Sequence, residues 1–291
     1  MKTLFIFANP EFDQRSQCGI SKLYQIFSKK YGFNIEIINE EFLRTNVPED
    51  DSSQILVIAG GDGTIHRVLN TIPEKVLERY HFGIIPGGTA NEFVKSLRLP
   101  LWLEQAADII AASPNVVCQT PGLINKKYRF ATGFLYGIAY KVLQETSPVA
   151  KQYFGPYAYQ LPGLFSLANY ADFVKSFRVD SMKFRTGYLL INNASLISKD
   201  LFPNEIKNED PTLFSIVYLH APLFVGDFIR LIIKNQRGAY ILEDPALFYR
   251  QIGDFTLEFE GDLDFMLDGE IYKMSSPIRF QHSKYNFKVI V

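Results

Sequence analysis

Two glycine-rich turns, each placed after an apolar run typical of a buried strand, constrain the fold of this chain more than any other feature. Residues 60–64 (Gly-Gly-Asp-Gly-Thr) follow the run 54–59, and residues 86–91 (Pro-Gly-Gly-Thr-Ala-Asn) follow the run 82–86. Each turn ends in a polar residue that can cap a helix, and a helix-like stretch comes next. This repeated order of strand, glycine turn and helix predicts an α/β fold with both turns at the carboxyl ends of neighbouring strands.

The chemistry of the two turns favours a phosphate site. Glycine lets the backbone approach an anion closely, and a helix start presents N–H groups without a partner in the helix. Asp62 stands between two glycines. Because a carboxylate beside phosphates needs a divalent cation between them, Asp62 suggests magnesium, although an aspartate that only forms a tight turn stays open. Two familiar motifs are excluded, since no Gly-Lys-Ser/Thr follows either turn and His66 stands where a dinucleotide fingerprint needs its third glycine.

The composition excludes several classes of protein. Lys and Arg number 30 against 31 acidic residues, so the overall charge gives no argument for nucleic-acid binding. Two cysteines, Cys18 and Cys118, provide no disulfide framework, and the 4 histidines are not spaced as zinc ligands. No run of about 18 apolar residues is present, so we expect no transmembrane segment and a cytoplasmic location.

The pattern of elements changes near residue 116. Before residue 116, strand-like and helix-like runs alternate. The strand-like runs are 4–9, 34–38, 54–59 and 83–86, and the helix-like runs are 20–31, 64–69, 91–97 and 103–112. A polar loop follows residue 38. This alternation predicts a mostly parallel sheet covered on both faces. After it, period-two alternation dominates, in the runs 128–132, 181–184, 188–192, 213–218, 255–260, 264–267 and 278–291. The second part therefore predicts an antiparallel β-sandwich with inserted helices such as 224–234.

Three short motifs in a fixed order carry a family resemblance. They are residues 60–65 (Gly-Gly-Asp-Gly-Thr-Ile), residues 83–93 (Gly-Ile-Ile-Pro-Gly-Gly-Thr-Ala-Asn-Glu-Phe) and residues 268–270 (Asp-Gly-Glu). They resemble the nucleotide loop, the Pro-x-Gly-Thr-x-Asn-Asp-Phe motif and the carboxyl-terminal Asp-Gly-Glu of the diacylglycerol kinase catalytic-domain family, which is related to sphingosine and ceramide kinases. Weaker similarities lie at 9–10, 131–134, 155–159 and 203–204. The first motif also occurs in NAD kinases, whereas the set of three is specific to lipid kinases.

The resemblance implies an architecture and a reaction. An NAD kinase-like α/β nucleotide domain would cover residues 1–118, an antiparallel β-sandwich domain with inserted helices would cover 119–278, and a final strand in 279–291 would return to the first domain. The family transfers the γ-phosphoryl group of ATP to a lipid hydroxyl with Mg2+. We therefore expect ATP as co-substrate, diacylglycerol or a related lipid alcohol as acceptor, and transient peripheral contact with a membrane, while a homodimer stays open.

The resemblance also implies roles for individual residues. We expect Asp268 to reach the acceptor hydroxyl across an interdomain cleft and accept its proton. Glu270 is the alternative base, and a hairpin turn at Asp268-Gly269 is the purely structural alternative. Metal ligation is expected of Asp62 and Asp210. The residues expected to bind the nucleotide are Asn9, Pro10, Asn39, Gly60, Gly61, Asp62, Gly63, Thr64, Ile65, His66, Gly88, Thr89, Asn91 and Glu92.

Several residues depart from the family pattern. Glu11 follows Asn9-Pro10 where the family has Ser-Gly, Asn39 replaces a threonine that precedes a helix start, Glu92 replaces an aspartate, and Pro211 replaces a glycine. These changes fit a divergent lipid kinase. They also leave open an NAD kinase-like enzyme and a catalytically silent member that binds lipid or nucleotide. The aromatic-rich stretch 153–177 is interpreted either as an acyl-chain groove or as core of the second domain.

Overall fold

The computed structural model describes residues 2–15, 19–48, 54–113, 115–138, 140–141, 170–193, 210, 212–236 and 243–291. The chain divides into two compact units, and both are discontinuous in sequence. Unit 1 comprises Met1–Pro121, Tyr128–Ala131 and Ser283–Val291, and unit 2 comprises Gly122–Lys127 and Thr132–His282.

Unit 1 is built on a six-stranded sheet. Its strands are β1 (Thr3–Ala8), β2 (Asn34–Ile37), β3 (Gln54–Gly60), β4 (Tyr80–Pro86), β5 (Val116–Gln119) and β18 (Phe287–Ile290), in the spatial order β2-β1-β3-β4-β18-β5. All neighbours are parallel except β18 and β5. A short strand, β7 (Tyr128–Phe130), also belongs to this unit. The expected α/β sheet is thus confirmed.

Helices connect the strands of unit 1. They are α1 (Phe12–Arg15), α2 (Gly19–Tyr24), α3 (Glu40–Thr45), α4 (Asp62–Thr71), α5 (Glu92–Ser96) and α6 (Leu103–Ala112), with a π-helical turn at Gln25–Lys30 and a 3-10 turn at Glu74–Arg79. The interpretation of the stretch after residue 38 as a loop was wrong in its first part, where α3 lies. The Asn39 side chain accepts a hydrogen bond from the Phe42 N–H (3.0 Å) and so caps this helix.

The core of unit 1 lies against the central strands. Strands β3 and β4 are buried almost throughout, as expected of a parallel sheet with both faces covered. Leu4, Val57 and Ile85 pack in one cluster with Ala107 and Ile110 of α6. Gly83 allows this packing, because a Cβ there would lie 2.8 Å from Ile110 side-chain atoms.

Unit 2 consists of antiparallel sheets. One contains β6 (Gly122–Ile124), β9 (Lys175–Val179), β10 (Met182–Thr186), β14 (Phe255–Phe259) and β17 (Ile278–His282) in the order β10-β9-β14-β17-β6. The other contains β8 (Gly133–Gly137), β11 (Tyr188–Asn193), β12 (Phe214–Leu219), β13 (Leu247–Ile252), β15 (Asp262–Leu267) and β16 (Glu270–Ser275) in the order β13-β12-β11-β8-β15-β16. Their pairings confirm the expected antiparallel β-structure.

Aromatic side chains from the two sheets of unit 2 pack against each other. Phe134 of β8 contacts Phe280 of β17 edge to face, with ring centroids 5.4 Å apart, and Phe214 of β12 contacts the same ring at 6.2 Å. All three rings are fully buried. Unit 2 also contains helix α7 (Val225–Gln236). In the described part of the chain, no helix is long and apolar enough to cross a membrane.

Candidate functional site

Three adjacent strands of unit 1 bring the predicted nucleotide residues to one edge of the sheet. Strands β1, β3 and β4 are neighbours and parallel, so their carboxyl ends meet. Asn9 follows β1, Gly61 follows β3, and Gly87-Gly88 follow β4. Strand β2 lies on one side of β1 and strand β3 lies on its other side, so the chain direction across the sheet reverses at β1. Such a topological switch point is the usual ligand position in open α/β sheets.

The two glycine turns lie in direct contact. The Gly87 N–H donates to the Gly60 carbonyl (2.9 Å). A Cβ on Gly61 would lie 2.7 Å from the Gly88 Cα, and a Cβ on Gly88 would lie 2.6 Å from the Gly61 Cα. Contacts this short with backbone atoms leave no space for a side chain at either position. The glycines are therefore required for the packing of one turn on the other.

Asn91 closes the second turn on itself. Its backbone is left-handed (φ 49°), a conformation that asparagine adopts more readily than most residues. Its side-chain oxygen accepts from the Gly88 N–H (2.9 Å), and its amide donates to the Gly88 carbonyl (2.9 Å). The side chain thus holds the loop in shape.

Asp62 joins the two turns by capping the helix that follows the second one. Its Oδ2 accepts from the Glu92 N–H (3.0 Å), and its Oδ1 accepts from the Phe93 N–H (2.9 Å). The expectation that both helix starts present N–H groups to an anion was therefore wrong for α5, because the Asp62 carboxylate already occupies this helix start.

The start of α4 also lies at this edge, directly after β3. The N–H groups of Thr64 and Ile65 donate to the Gly61 carbonyl (2.9 and 3.1 Å), so the amides that precede Thr64 are the candidates for contact with an anion. The side chains of Thr64, Ile65 and His66 are buried. The Thr64 hydroxyl accepts from the Asn9 side-chain amide (3.3 Å), which ties the end of β1 to α4.

The other predicted nucleotide residues have different surroundings. Asn39 caps α3, and Pro10 lies exposed in the turn after β1. Thr89 is exposed at the tip of the second turn. The Glu92 carboxylate lies 3.4 Å from the ammonium group of Lys95, one turn further along α5. The structure thus gathers Asn9 and the two turns at one edge, whereas the Asn39 side chain is engaged in its own helix.

Asp268 occupies a tight turn in unit 2. The turn joins β15 to β16, with φ values of 48° at Asp268 and 92° at Gly269. Although the residue is a carboxylate, it is only 4% exposed. Its Oδ1 accepts from the Thr132 N–H (2.7 Å), the Thr132 hydroxyl (2.6 Å) and the Gly133 N–H (3.1 Å). These donors stabilise a buried charge and fix the direction of the carboxylate.

Thr132 and Gly133 are residues of this site for which the sequence analysis assigned no role. They lie in the weak motif 131–134. The Gly133 carbonyl also accepts from the Asp268 N–H (3.1 Å), so the bonds run in both directions. The signal was a Thr-Gly pair at the start of a strand, but its partner lies 136 residues away in sequence, and no local pattern identifies such a partner.

Glu270 and Asp210 differ from Asp268 in their surroundings. Glu270 is exposed and begins β16. Asp210 accepts from the N–H and the hydroxyl of Thr212 (2.9 and 2.6 Å), and these hydrogen bonds lower the pKa of its carboxyl below the usual value. Within the ranges that the structure describes, no group of three His, Cys, Asp or Glu side chains is placed to hold a metal ion.

Most of the aromatic-rich stretch 153–177 lies outside the described residues, as do the weak motifs 155–159 and 203–204. Of the members that are described, Tyr170 and Phe177 are buried at 4% and 2% exposure. The Tyr170 hydroxyl donates to the Leu219 carbonyl (3.2 Å). These two residues belong to the core of unit 2.

Comparisons with known proteins show which proteins this chain is similar to. Residues 3–118 match the model of the diacylglycerol kinase catalytic domain. This segment is similar to the catalytic domain of that family. The chain is 28% identical over 242 residues to the diacylglycerol kinase of Staphylococcus carnosus, covering 81% of this chain and 76% of that protein. It is 24% identical over 266 residues to a Staphylococcus aureus diacylglycerol kinase, covering 89% and 82%. The expectation of an enzyme of the lipid kinase class is confirmed.

Solved structures share the fold. A Bacillus anthracis protein proposed to be a diacylglycerol kinase superposes with a TM-score of 0.75 at 17% identity, covering 99% of this chain and 96% of that one. An NAD kinase from Archaeoglobus fulgidus, solved in complex with ATP, superposes with a TM-score of 0.54 at 11% identity, covering 100% and 94%. The NAD kinase-like architecture expected from the sequence is thereby confirmed.

Proposed function

We propose that this protein is an ATP- and magnesium-dependent lipid kinase that phosphorylates the hydroxyl of diacylglycerol or a related lipid alcohol. The observation that carries the proposal is the contact between the two glycine turns at the switch point of a diacylglycerol kinase catalytic domain. Such an edge, with a helix start and two glycine-rich loops, suits the binding of a polyphosphate.

In this proposal, backbone groups of the two turns bind the phosphates. We assign the phosphate contacts to the amides ahead of Thr64 in the first turn and to those around Thr89 in the second. Asn9, Gly88 and Asn91 act by shaping the loops, as their hydrogen bonds indicate. The side chains of Ile65 and His66 are buried, so in this proposal these two residues support the start of α4.

The charges of the two turns support the use of magnesium. Neither turn contains a lysine or an arginine, whereas Asp62 adds a negative charge. A nucleotide triphosphate at this edge therefore needs a cation, and Mg2+ supplies charge neutralisation between phosphates and carboxylate. Both Asp62 oxygens already accept an N–H group, which leaves them less able to act as direct metal ligands. An Mg2+ ion at this edge would therefore take most of its ligands from the phosphates and from water. Asp62 is the carboxylate that would face such an ion.

Asp268 is proposed as the general base. The acceptor oxygen forms a bond to the γ-phosphorus, the bond from that phosphorus to the β,γ-bridging oxygen breaks, ADP leaves, and the hydroxyl proton passes to the Asp268 carboxylate. The three hydrogen bonds from Thr132 and Gly133 support this role. They hold the carboxylate in one orientation, which is what a base needs to meet a positioned hydroxyl.

A product assay tests the proposed function. The protein is incubated with γ-labelled ATP, MgCl2 and diacylglycerol in detergent micelles, and the lipid product is identified by mass spectrometry. Transfer of label to the diacylglycerol hydroxyl is expected, and chelation of Mg2+ should abolish it. A parallel reaction with NAD as acceptor tests the NAD kinase-like alternative. Label on NAD alone, or on no acceptor at all, would contradict the proposal.

Two variants separate the candidate bases in the same assay. Asp268→Asn should lower turnover about 10²- to 10⁴-fold, the usual effect of removing a general base. Asparagine tolerates the left-handed backbone at this position and keeps an oxygen for the Thr132 donors. Glu270→Gln is the matched control, since this exposed side chain should be dispensable. The reverse result would assign the proton transfer to Glu270.

A further inference from the structure

The turn between α5 and α6 presents two large apolar side chains to solvent. Leu101 is 50% exposed and Trp102, the only tryptophan of the chain, is 71% exposed. They are consecutive in sequence and lie in unit 1. Single exposed apolar residues are common, but an adjacent Leu-Trp pair at the end of a turn is a local apolar surface that water solvates poorly. We call this pair the Leu-Trp tip.

The backbone on both sides of the Leu-Trp tip is fixed. Beyond the end of helix α5 at Ser96, Arg98 is in the left-handed conformation (φ 57°). The Arg98 N–H donates to the Lys95 carbonyl (3.0 Å), and the Leu99 N–H donates to the Val94 carbonyl (3.0 Å). This is the hydrogen-bond pattern of a Schellman motif, and Pro100 follows it as is usual there. On the other side, the Trp102 carbonyl accepts from the Ala106 N–H (3.0 Å) in α6.

The Trp102 side chain has no role in this backbone arrangement. It precedes α6 but makes no side-chain capping hydrogen bond. The indole ring is therefore exposed because the fold holds it there, and its removal leaves the hydrogen bonds of the turn intact. A side chain that is 71% exposed and makes no capping hydrogen bond is available for contact with something outside the chain.

We infer that the Leu-Trp tip docks this protein on the surface of a phospholipid bilayer. The inference rests on the proposed function, because a lipid acceptor with acyl chains lies in a bilayer and its kinase must work there. Tryptophan prefers the boundary between headgroups and hydrocarbon, where its ring is buried and its N–H stays hydrated. Leu101, which is half exposed, adds apolar area next to Trp102 in sequence.

Trp102 is the single tryptophan of the sequence and is itself fluorescent, so the first test needs neither ATP nor an acceptor lipid. Fluorescence of Trp102 is recorded while vesicles of phosphatidylcholine and phosphatidylglycerol are added. A shift of the emission to shorter wavelength and weaker quenching by acrylamide are expected. Leu101→Ala should weaken vesicle binding about fivefold to tenfold, as expected for lost apolar contact. The matched control is Ile37→Ala, at a similarly exposed residue (55%) of the same unit, and it should bind as the unchanged protein does.

A second variant links the tip to turnover. Trp102→Ala should lower the phosphorylation of diacylglycerol in vesicles about tenfold or more. It should leave unchanged the phosphorylation of a short-chain diacylglycerol that is dissolved as monomers. Phe224→Ala removes an equally exposed ring (69%) from unit 2 and serves as the aromatic control. Circular dichroism and the melting temperature of each variant establish that it is folded.

The two proposals fail in different ways. If no lipid is phosphorylated but Trp102 still becomes protected by vesicles, the proposed function fails and docking on a bilayer stands. If lipids are phosphorylated while vesicles leave the emission and quenching of Trp102 unchanged, the docking inference is overturned. Equal losses of vesicle binding in Ile37→Ala and Leu101→Ala would overturn it as well. So would sedimentation showing that Trp102→Ala abolishes self-association in the absence of lipid, because a second copy of the chain would then cover the tip.

Discussion

Replacement of Asp62 by asparagine tests whether this carboxylate holds the two glycine turns together. In the structure its two oxygens accept the N–H groups of Glu92 and Phe93. Asparagine keeps one acceptor but places an NH2 group against the other N–H. Loss of one of the two hydrogen bonds costs about 1 kcal/mol, and loss of the negative charge at the α5 start costs about 0.5 kcal/mol more. In large domains a loss of 1 kcal/mol lowers the melting temperature by about 2–4 °C, so the melting temperature of this variant should fall by about 3–6 °C.

The measurement is differential scanning calorimetry of the protein without nucleotide and with a chelator present. Under these conditions a residue that only ligates Mg2+ contributes nothing to stability, so the expected fall reports the cap alone. Asp108→Asn is the control, because the Asp108 carboxylate makes an exposed pair with Lys30, and such pairs contribute little. An unchanged melting temperature for Asp62→Asn, together with a higher Mg2+ requirement for turnover, would refute the structural role and assign Asp62 to the metal alone.

Three further predictions concern other residues. Gly88→Ala should destabilise unit 1 by about 1–3 kcal/mol, because the new Cβ would lie 2.6 Å from the Gly61 Cα. Urea unfolding measures this loss, and isothermal titration calorimetry should show weaker ATP binding. Thr132→Val should lower the turnover number but leave the KM for ATP unchanged, since the hydroxyl donates to the proposed base Asp268. Steady-state kinetics separate the two constants, and a changed KM alone would contradict this role. Asp244→Asn should destabilise the protein by about 2 kcal/mol at pH 7, because hydrogen bonds from Arg230 hold the pKa of the buried Asp244 carboxyl far below its usual value. The contribution of the Asp244 carboxylate to stability is fully present above the ordinary carboxyl pKa of about 3.9, and it is lost progressively as the pH falls below that value. Urea unfolding of the unchanged protein and of Asp244→Asn should therefore show a smaller difference in the free energy of unfolding at pH 3.5 than at pH 7.

The parallel sheet of unit 1 could be predicted from the sequence because its signals are local. The run 55–59 is apolar throughout, and the Gly-Gly turn after it fixes the end of β3. The same holds for β4 and its turn. The alternation in the second part likewise indicated antiparallel strands, because one face of each strand is buried.

The parts that could not be predicted depend on contacts between distant residues. Asp62 caps a helix that begins 30 residues later, and nothing in its own turn reveals this partner. The Thr132 contact with Asp268 spans 136 residues. Helix α3 was missed because its start depends on the single Asn39 cap within a polar stretch. The magnesium, base and nucleotide assignments stay predictions, since each concerns contact with a ligand.

Amide hydrogen exchange measures most directly whether the two glycine turns bind the phosphates of ATP. Peptides that cover residues 60–64 and 86–91 are compared with and without MgATP, using Gly88→Ala as the variant that disturbs the contact between the turns. Slower exchange in both segments on addition of MgATP, and loss of this protection in the variant, is the predicted result. Unchanged exchange in both segments while ATP binds, with protection elsewhere in the chain, would contradict it.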